Sequence, residues 1–142
     1  MSTMSMLLRN DMPEIERLAE EVTLFLNQHG VPPETVGDLN LALEEVVANV
    51  IMHAYPQGGA HEIRVDVTAE KDRVTAEVVD DGVAFDPLQR TEPNVALPLA
   101  ERPVGGLGIF LVRRVMDELH YSREAGRNRL TMAKKVRSLC ST

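Results

Sequence analysis

The chain has 142 residues, a formal charge of −7 and a single cysteine. That length suits one domain with its own hydrophobic core, and a lone cysteine makes an intramolecular disulfide impossible. So acidic a chain is a poor non-specific binder of nucleic-acid phosphates, and with no tryptophan and few aromatics it lacks stacking platforms for single strands.

Residues 1–10 do not read as a signal peptide, because the apolar stretch is too short and no basic segment precedes it. No apolar run is long enough to cross a membrane, and the lone cysteine fits a reducing cytoplasm, the expected location. The four histidines, His29, His53, His61 and His120, are scattered, and none pairs with Cys140 at a zinc-site spacing.

In chain order, residues 4–9 predict a short strand. Asp11 precedes Glu14 by three, a capping-box arrangement, with Pro13 in the first turn. Ile15, Leu18, Ala19, Val22, Phe25 and Leu26 then recur at helical spacing, and His29-Gly30 ends that helix. A second helix is expected from Pro33 to about Ala54, stopped by Tyr55-Pro56, with a core stripe of Val36, Leu39, Leu43, Val46, Val47 and Val50. The period then changes to two. Ile63, Val65 and Val67 alternate with polar residues, a polar turn covers 70–73, and 74–79 completes a hairpin.

Residues 80–104 carry four prolines and little periodicity; a long irregular segment in a compact domain is usually functional. A third helix is expected from about Ile109 to Leu119. A closing hairpin follows, 121–124 and 129–136, around Gly126-Arg127-Asn128. Residues 138–142 are expected to fray. There is no internal repeat. The order β-α-α-β-β-loop-α-β-β predicts an α+β fold, a two-layer sandwich whose mixed, mostly antiparallel sheet carries its helices on one face. The expected organisation is a single domain over 1–142, with a core at about 11–136 and a flexible C-terminal tail.

Three constellations carry chemistry. Glu45 and Asn49 are one turn apart, on a helix face shared with Leu41 and His53 that borders the core stripe. A carboxylate there can take the proton of an attacking hydroxyl, and an amide oxygen can ligate Mg²⁺, which often accepts only one or two protein ligands. The bland alternative is a solvated helix face. Second, Asp80-Asp81-Gly82 follows a strand directly. A strand-end aspartate can accept from an exocyclic amine such as adenine's, and Gly82 permits close backbone approach to a flat ring; the alternative is an ordinary Asp-Gly turn. Third, Gly105, Gly106, Leu107 and Gly108 open a helix whose N–H groups suit an anion, and Arg102 just before them adds a fixed charge. No Gly-Lys-Ser/Thr follows, so this is not a Walker A loop, and a flexible hinge is the alternative.

Together and in this order, LALEEVVANVIMHAY (41–55), VVDDGVAFDP (78–87) and VGGLGIFLVRRVMDEL (104–119) resemble the Bergerat-fold (GHKL) ATPases. Within them the chain looks like the bacterial anti-sigma-factor serine kinases of partner-switching systems, over roughly residues 11–136. The resemblance implies that Glu45 is the catalytic base, Asn49 the Mg²⁺ ligand and Asp80 the adenine-reading carboxylate, with Gly82 beside it. It implies that Gly106 and Gly108 are glycines of an ATP lid in which Arg102, Gly105 and Leu107 also fall. His53, one turn beyond Asn49, joins the nucleotide-binding set, with a structural role at the helix end as the alternative. Ala84 stands where many relatives carry a second glycine, which puts the detail of the adenine loop in question. Glu44, about 100° around the helix from Glu45, reads as a surface neighbour.

The resemblance further implies ATP and Mg²⁺ as cofactors and a STAS-domain anti-anti-sigma protein as the substrate phosphorylated on serine. It implies a sigma factor or other output protein as the competing partner, and a homodimer. A complete histidine kinase is not expected, for want of a phosphoacceptor helix pair before residue 33. Nor is a chaperone or topoisomerase, for want of further domains. The rival readings are a nucleotide-gated binding module without turnover and a structural adaptor whose glycines are hinges.

Overall fold

The computed structural model describes residues 1–89 and 106–136. The element order is β1 (Ser2–Arg9), α1 (Glu14–Gln28), α2 (Pro33–His53), β2 (Glu62–Ala69), β3 (Arg73–Asp80), a 3₁₀ turn (Pro87–Gln89), α3 (Gly106–Val115), β4 (Glu118–Glu124) and β5 (Arg127–Lys135). The strands form one five-stranded sheet in the order β1-β2-β3-β5-β4. Every pairing among the described residues is antiparallel, so the expected mixed character is absent there.

Strict alternation separates the two faces of the sheet. Ile63, Val65 and Val67 on β2, Val74, Ala76 and Val78 on β3, and Leu130 and Met132 on β5 are buried against the helices. The stripe predicted for α2 is buried as a set, and Leu18, Val22 and Leu26 of α1 and Ile109 and Val112 of α3 complete the core. Leu39 is fully buried; truncation to alanine there costs about 2–5 kcal/mol. The opposite face is polar. Asp66 and Glu77 stand directly across from one another, a repulsive placement. Arg64 offsets it by reaching both carboxylates, at 3.2 and 3.5 Å, and Arg129 reaches Glu77 at 3.5 Å.

Three local expectations need correction. The capping box does not form: the residue before α1 is Pro13 and no side chain caps the helix. Glu14 instead accepts from the Arg9 backbone N–H at 3.0 Å and from Arg17 Nε at 2.7 Å, and Arg17 also donates to Leu7 O. It therefore ties β1 to α1, and these contacts hold its carboxyl down at about 2. Helix α3 begins three residues before Ile109 and ends at Val115 rather than Leu119. Asp117 N–H bonds Ala133 O at 2.9 Å, drawing the chain into the sheet, while Lys134 Nζ takes the helix carbonyl of Val115. The last hairpin turns at Ala125-Gly126, both at positive φ (52° and 76°), as a two-residue loop requires. That shift moves Asn128 out of the turn and into β5.

Candidate functional site

Helix α2 crosses the end of the sheet where β3 stops, and this brings the first two constellations together. Val46, Val47 and Val50 seat the helix in the core. The same rotation turns Asn49 inward, so that it is 4 % exposed and part of the interior rather than merely beside it. Glu45, one turn earlier on that face, is half-buried and exposed Glu44 is its neighbour. Burial, and then the charge of Glu44, raise the Glu45 pKa above the ordinary carboxylate value. A carboxylate shifted in that direction is a better proton acceptor near neutral pH.

Asp80 is the last residue of β3 and points to the helix-covered face, 4 % exposed. A small cavity of about 20 Å³ is lined by Asn49 from α2, Ala54 just past its end, Asp80 from β3, Phe85 beyond it, and Tyr121 and Asn128 from the last hairpin. Asp80 and Asn49, thirty-one positions apart in sequence, thus share one space. Burial raises the Asp80 pKa, while hydrogen bonds from the Asn128 amide and the Gly82 N–H, each 2.9 Å to Oδ1, work the other way.

Gly82 is needed for a reason the sequence did not suggest. A Cβ there would lie 2.4 Å from Ala54 O and 2.5 Å from Ala54 Cβ. The close approach is to the end of α2, and Val83 N–H bonds Ala54 O at 2.8 Å in the same contact. Ala84 is exposed and does not adopt positive φ, so alanine carries no backbone strain at that position. The His53 ring stacks on Phe85, with centroids 5.5 Å apart, which places His53 behind a wall of the cavity. Gly106, Leu107 and Gly108 open α3 as expected for a helix N-terminus. Arg102 and Gly105 lie outside the described residues.

Sequence reading missed Tyr121 and Asn128. Only their register could have exposed them: Asn128 pairs with Asp80 across β3 and β5, and Tyr121 with Leu130 across β4 and β5. A larger groove, about 720 Å³, opens at this end of the sheet on the polar face, between Leu7, Arg9, Arg64, Val79 and Arg127. It includes Asp80 but no residue of α2, so it is in the smaller cavity that Asp80 and Asn49 meet.

The donor set suits a hard cation and a triphosphate. Among the described residues no group of three or more His, Cys, Asp or Glu side chains could hold a metal unaided. Asn49 Nδ2 is buried and has no hydrogen-bond partner among the described residues. The orientation of an amide is an assignment, and with the amide turned the oxygen takes that place as a ligand of the kind Mg²⁺ prefers. An unsatisfied buried amide is costly in a purely structural role.

A helix-covered antiparallel sheet with a carboxylate–amide pair over a strand-end aspartate defines an ATPase-like α+β domain. The chain belongs to the family described as histidine kinase-like ATPase domain, whose model matches residues 8–134. It is 33 % identical over 94 residues to the serine/threonine-protein kinase BtrW of Bordetella bronchiseptica, covering 66 % of each chain. It is 29 % identical over 105 residues to the serine-protein kinase RsbW of Oceanobacillus iheyensis, covering 70 % of this chain and 66 % of that one. The chain thus spans about two thirds of the length of these curated relatives. The fold matches the crystal structure of the RsbU and RsbW domains of Rv1364c from Mycobacterium tuberculosis. There the TM-score is 0.67 at 16 % identity, covering 96 % of this chain and 33 % of that one. It also matches the SiaB–SiaC complex from Pseudomonas aeruginosa, with a TM-score of 0.57 at 14 % identity over 92 % and 89 % of the two chains. No helix among the described residues is long and apolar enough to cross a membrane.

Proposed function

We propose that this protein is an ATP- and Mg²⁺-dependent serine protein kinase, and that the space between α2, the end of β3 and the residue 106–108 turn is its nucleotide site. The observation that carries the reading is the placement of Asn49, with its unsatisfied buried amide, and Asp80 on one cavity, with Glu45 a turn along the same helix face. The kinase names of BtrW and RsbW support it.

When bound, ATP supplies the phosphoryl group and Mg²⁺ neutralises charge on its phosphates. Asn49 would hold the metal through its amide oxygen. Asp80 would accept from the exocyclic amine of the base. Main-chain N–H groups at Gly106 and Gly108 would donate to the phosphates, with Arg102, Gly105 and Leu107 assigned to the lid and His53 backing the site. Glu45 accepts the proton of the attacking serine hydroxyl on the partner protein and orients that oxygen. The cavity volume of about 20 Å³ is far below the roughly 300 Å³ at which small-molecule sites begin. Admission of the base therefore requires its walls to part, with Phe85 leaving its stack on His53.

The partner is a STAS-domain anti-anti-sigma protein in this reading. A sigma factor or other output protein competes for the kinase, which works as a homodimeric, single-domain regulator of transcription in the cytoplasm. Phosphorylation places a charge of about −1.5 to −2 on the partner serine and weakens its hold by repulsion, which releases the kinase to the output protein. That a solved complex, SiaB–SiaC, contains a chain of this fold is consistent with such pairing.

The test is transfer of label from γ-labelled ATP to a cognate STAS protein. Wild type is expected to transfer. Glu45→Ala is expected to lose about 10²–10⁴-fold in rate while ATP binding stays within a few-fold. Full transfer by the variant would remove Glu45 from the role of base. ATP binding without transfer by the wild type would leave a gated binder instead of a kinase.

A further inference from the structure

Asn128 is 5 % exposed and uses its whole hydrogen-bonding capacity. Its Nδ2 donates to Asp80 Oδ1 at 2.9 Å and to Val83 O at 2.8 Å. Its Oδ1 accepts from Phe85 N–H at 3.3 Å and from the Tyr121 hydroxyl. Two acceptors stand on one side of the amide and two donors on the other, so its orientation is fixed. A carboxylate in its place would set oxygen against the oxygens of Asp80 and Val83. A hydroxyl side chain has too few donors and acceptors to serve all these partners.

The consequences fall on Asp80. Its Oδ1 receives both Asn128 Nδ2 and the Gly82 N–H. Its Oδ2 accepts nothing from the described residues and is the oxygen left for a ligand. Through the same amide, Val83 and Phe85, which continue the chain beyond Asp80, are tied to the carboxylate they surround. We propose that Asn128 is the positioning residue of base recognition: it presents Asp80 Oδ2 to the exocyclic amine and couples that carboxylate to the 83–85 loop. This rests on the reading of Asp80 as the base-recognising group. It adds that the specificity for an amino-purine is set from β5, by a residue that does not itself touch the amine. The hydrogen bond from Asn128 also opposes the upward pull of burial on the Asp80 pKa, which keeps the carboxylate an acceptor to lower pH.

The test compares equilibrium binding of ATP and of inosine triphosphate, which carries an oxygen where ATP has the amine, to the full chain. Wild type is expected to prefer ATP by at least about tenfold, since a site built around a hydrogen bond rejects an analogue lacking it. Asn128→Ala is expected to bring that ratio close to one and to move the acid limb of ATP binding to higher pH. Tyr121→Phe, which removes one bond on the far side of the amide, is expected to lower the ratio about two- to threefold with the fold intact; if Asn128→Ala does not fold, this variant decides. An unchanged ratio and pH limb in whichever of these variants folds overturns the role of Asn128. Equal binding of the two nucleotides by the wild type overturns the reading of Asp80 beneath it, so the two failures are separable.

Discussion

The two walls of the candidate site are built on opposite terms. The sheet wall is braced from within: Asp80, Gly82, Asn128 and Tyr121 are joined by hydrogen bonds, Arg123 adds a 2.7 Å bond to Gly82 O, and Asp80 Oδ2 is the acceptor this network leaves open. The helix wall is left wanting. Asn49 Nδ2 has no partner, and the Glu45 carboxylate forms no hydrogen bond or ion pair among the described residues. A polar wall held by its own hydrogen bonds is preorganised, so the acceptor it leaves open can discriminate between ligands. An unsatisfied wall holds valence in reserve, so it suits a metal ion and a migrating proton. On this account recognition and chemistry are separated onto β3–β5 and α2.

That contrast breaks most clearly at Asp80. Asp80→Asn is expected to weaken ATP by about 100-fold, because an amide cannot accept from the amine with both of its positions, while the apo protein gains stability at neutral pH. The sign follows from linkage. The folded-state pKa of Asp80 is raised above its ordinary 3.8, so between those values the native state holds a proton that the unfolded chain has lost. Stability of the apo protein therefore falls as pH rises through that window, and the penalty is complete above the folded pKa. Asp80→Asn removes this fall, expected as a Tm above that of wild type at pH 7.5 and a smaller difference at pH 4. Glu45, raised in the same direction, contributes a slope of the same sign, whereas Glu14, held down at about 2, slopes the other way at the acid end. Melting curves of wild type and Asp80→Asn from pH 4 to 8 isolate the Asp80 contribution as their difference. A difference that does not change with pH contradicts the burial argument.

Gly82→Ala sharpens the comparison from the mechanical side. The added methyl meets the backbone of Ala54, which cannot give way as a side-chain tip does, so about 1–3 kcal/mol of stability is expected to go. Denaturant unfolding measures it, and ATP affinity is expected to fall in parallel because the 82–85 loop is displaced. The smallest effect belongs to the helix wall. Glu44→Gln removes the neighbouring charge that helps raise Glu45. The acid limb of phosphotransfer is then expected to move to lower pH, further at low salt than at high salt, because Glu44 is exposed.

The helix wall was legible in the sequence because periodicity carries direction. Residues four apart share a helix face, and the stripe of Val46, Val47 and Val50 told which face was core, leaving Glu45 and Asn49 at its edge. Only the depth of Asn49 escaped, since spacing gives direction and not burial. The sheet wall was legible only where one local segment held it, at Asp80 to Gly82. Asn128 reaches Asp80 through β3–β5 register, which depends on where the last hairpin turns. That turn is Ala125-Gly126, which starts one residue and ends two residues ahead of the expected Gly126-Arg127-Asn128. The crowding at Gly82 escaped for a related reason: the backbone it meets is Ala54, a long-range neighbour invisible to spacing. Glu14 shows the same pattern, since a residue that fits a capping box locally is taken by Arg9 and Arg17.

The division of labour between the walls is tested most directly by calorimetric titration of ATP, with Mg²⁺ and with the metal chelated, into wild type and Asn49→Ala. The account predicts that wild type loses about tenfold or more in affinity on chelation, and that Asn49→Ala binds ATP equally weakly with or without the metal. Its preference for ATP over inosine triphosphate should survive, because Asp80 is untouched. Retention of the full Mg²⁺ effect in Asn49→Ala would contradict the central claim that α2 supplies the metal ligand of this site.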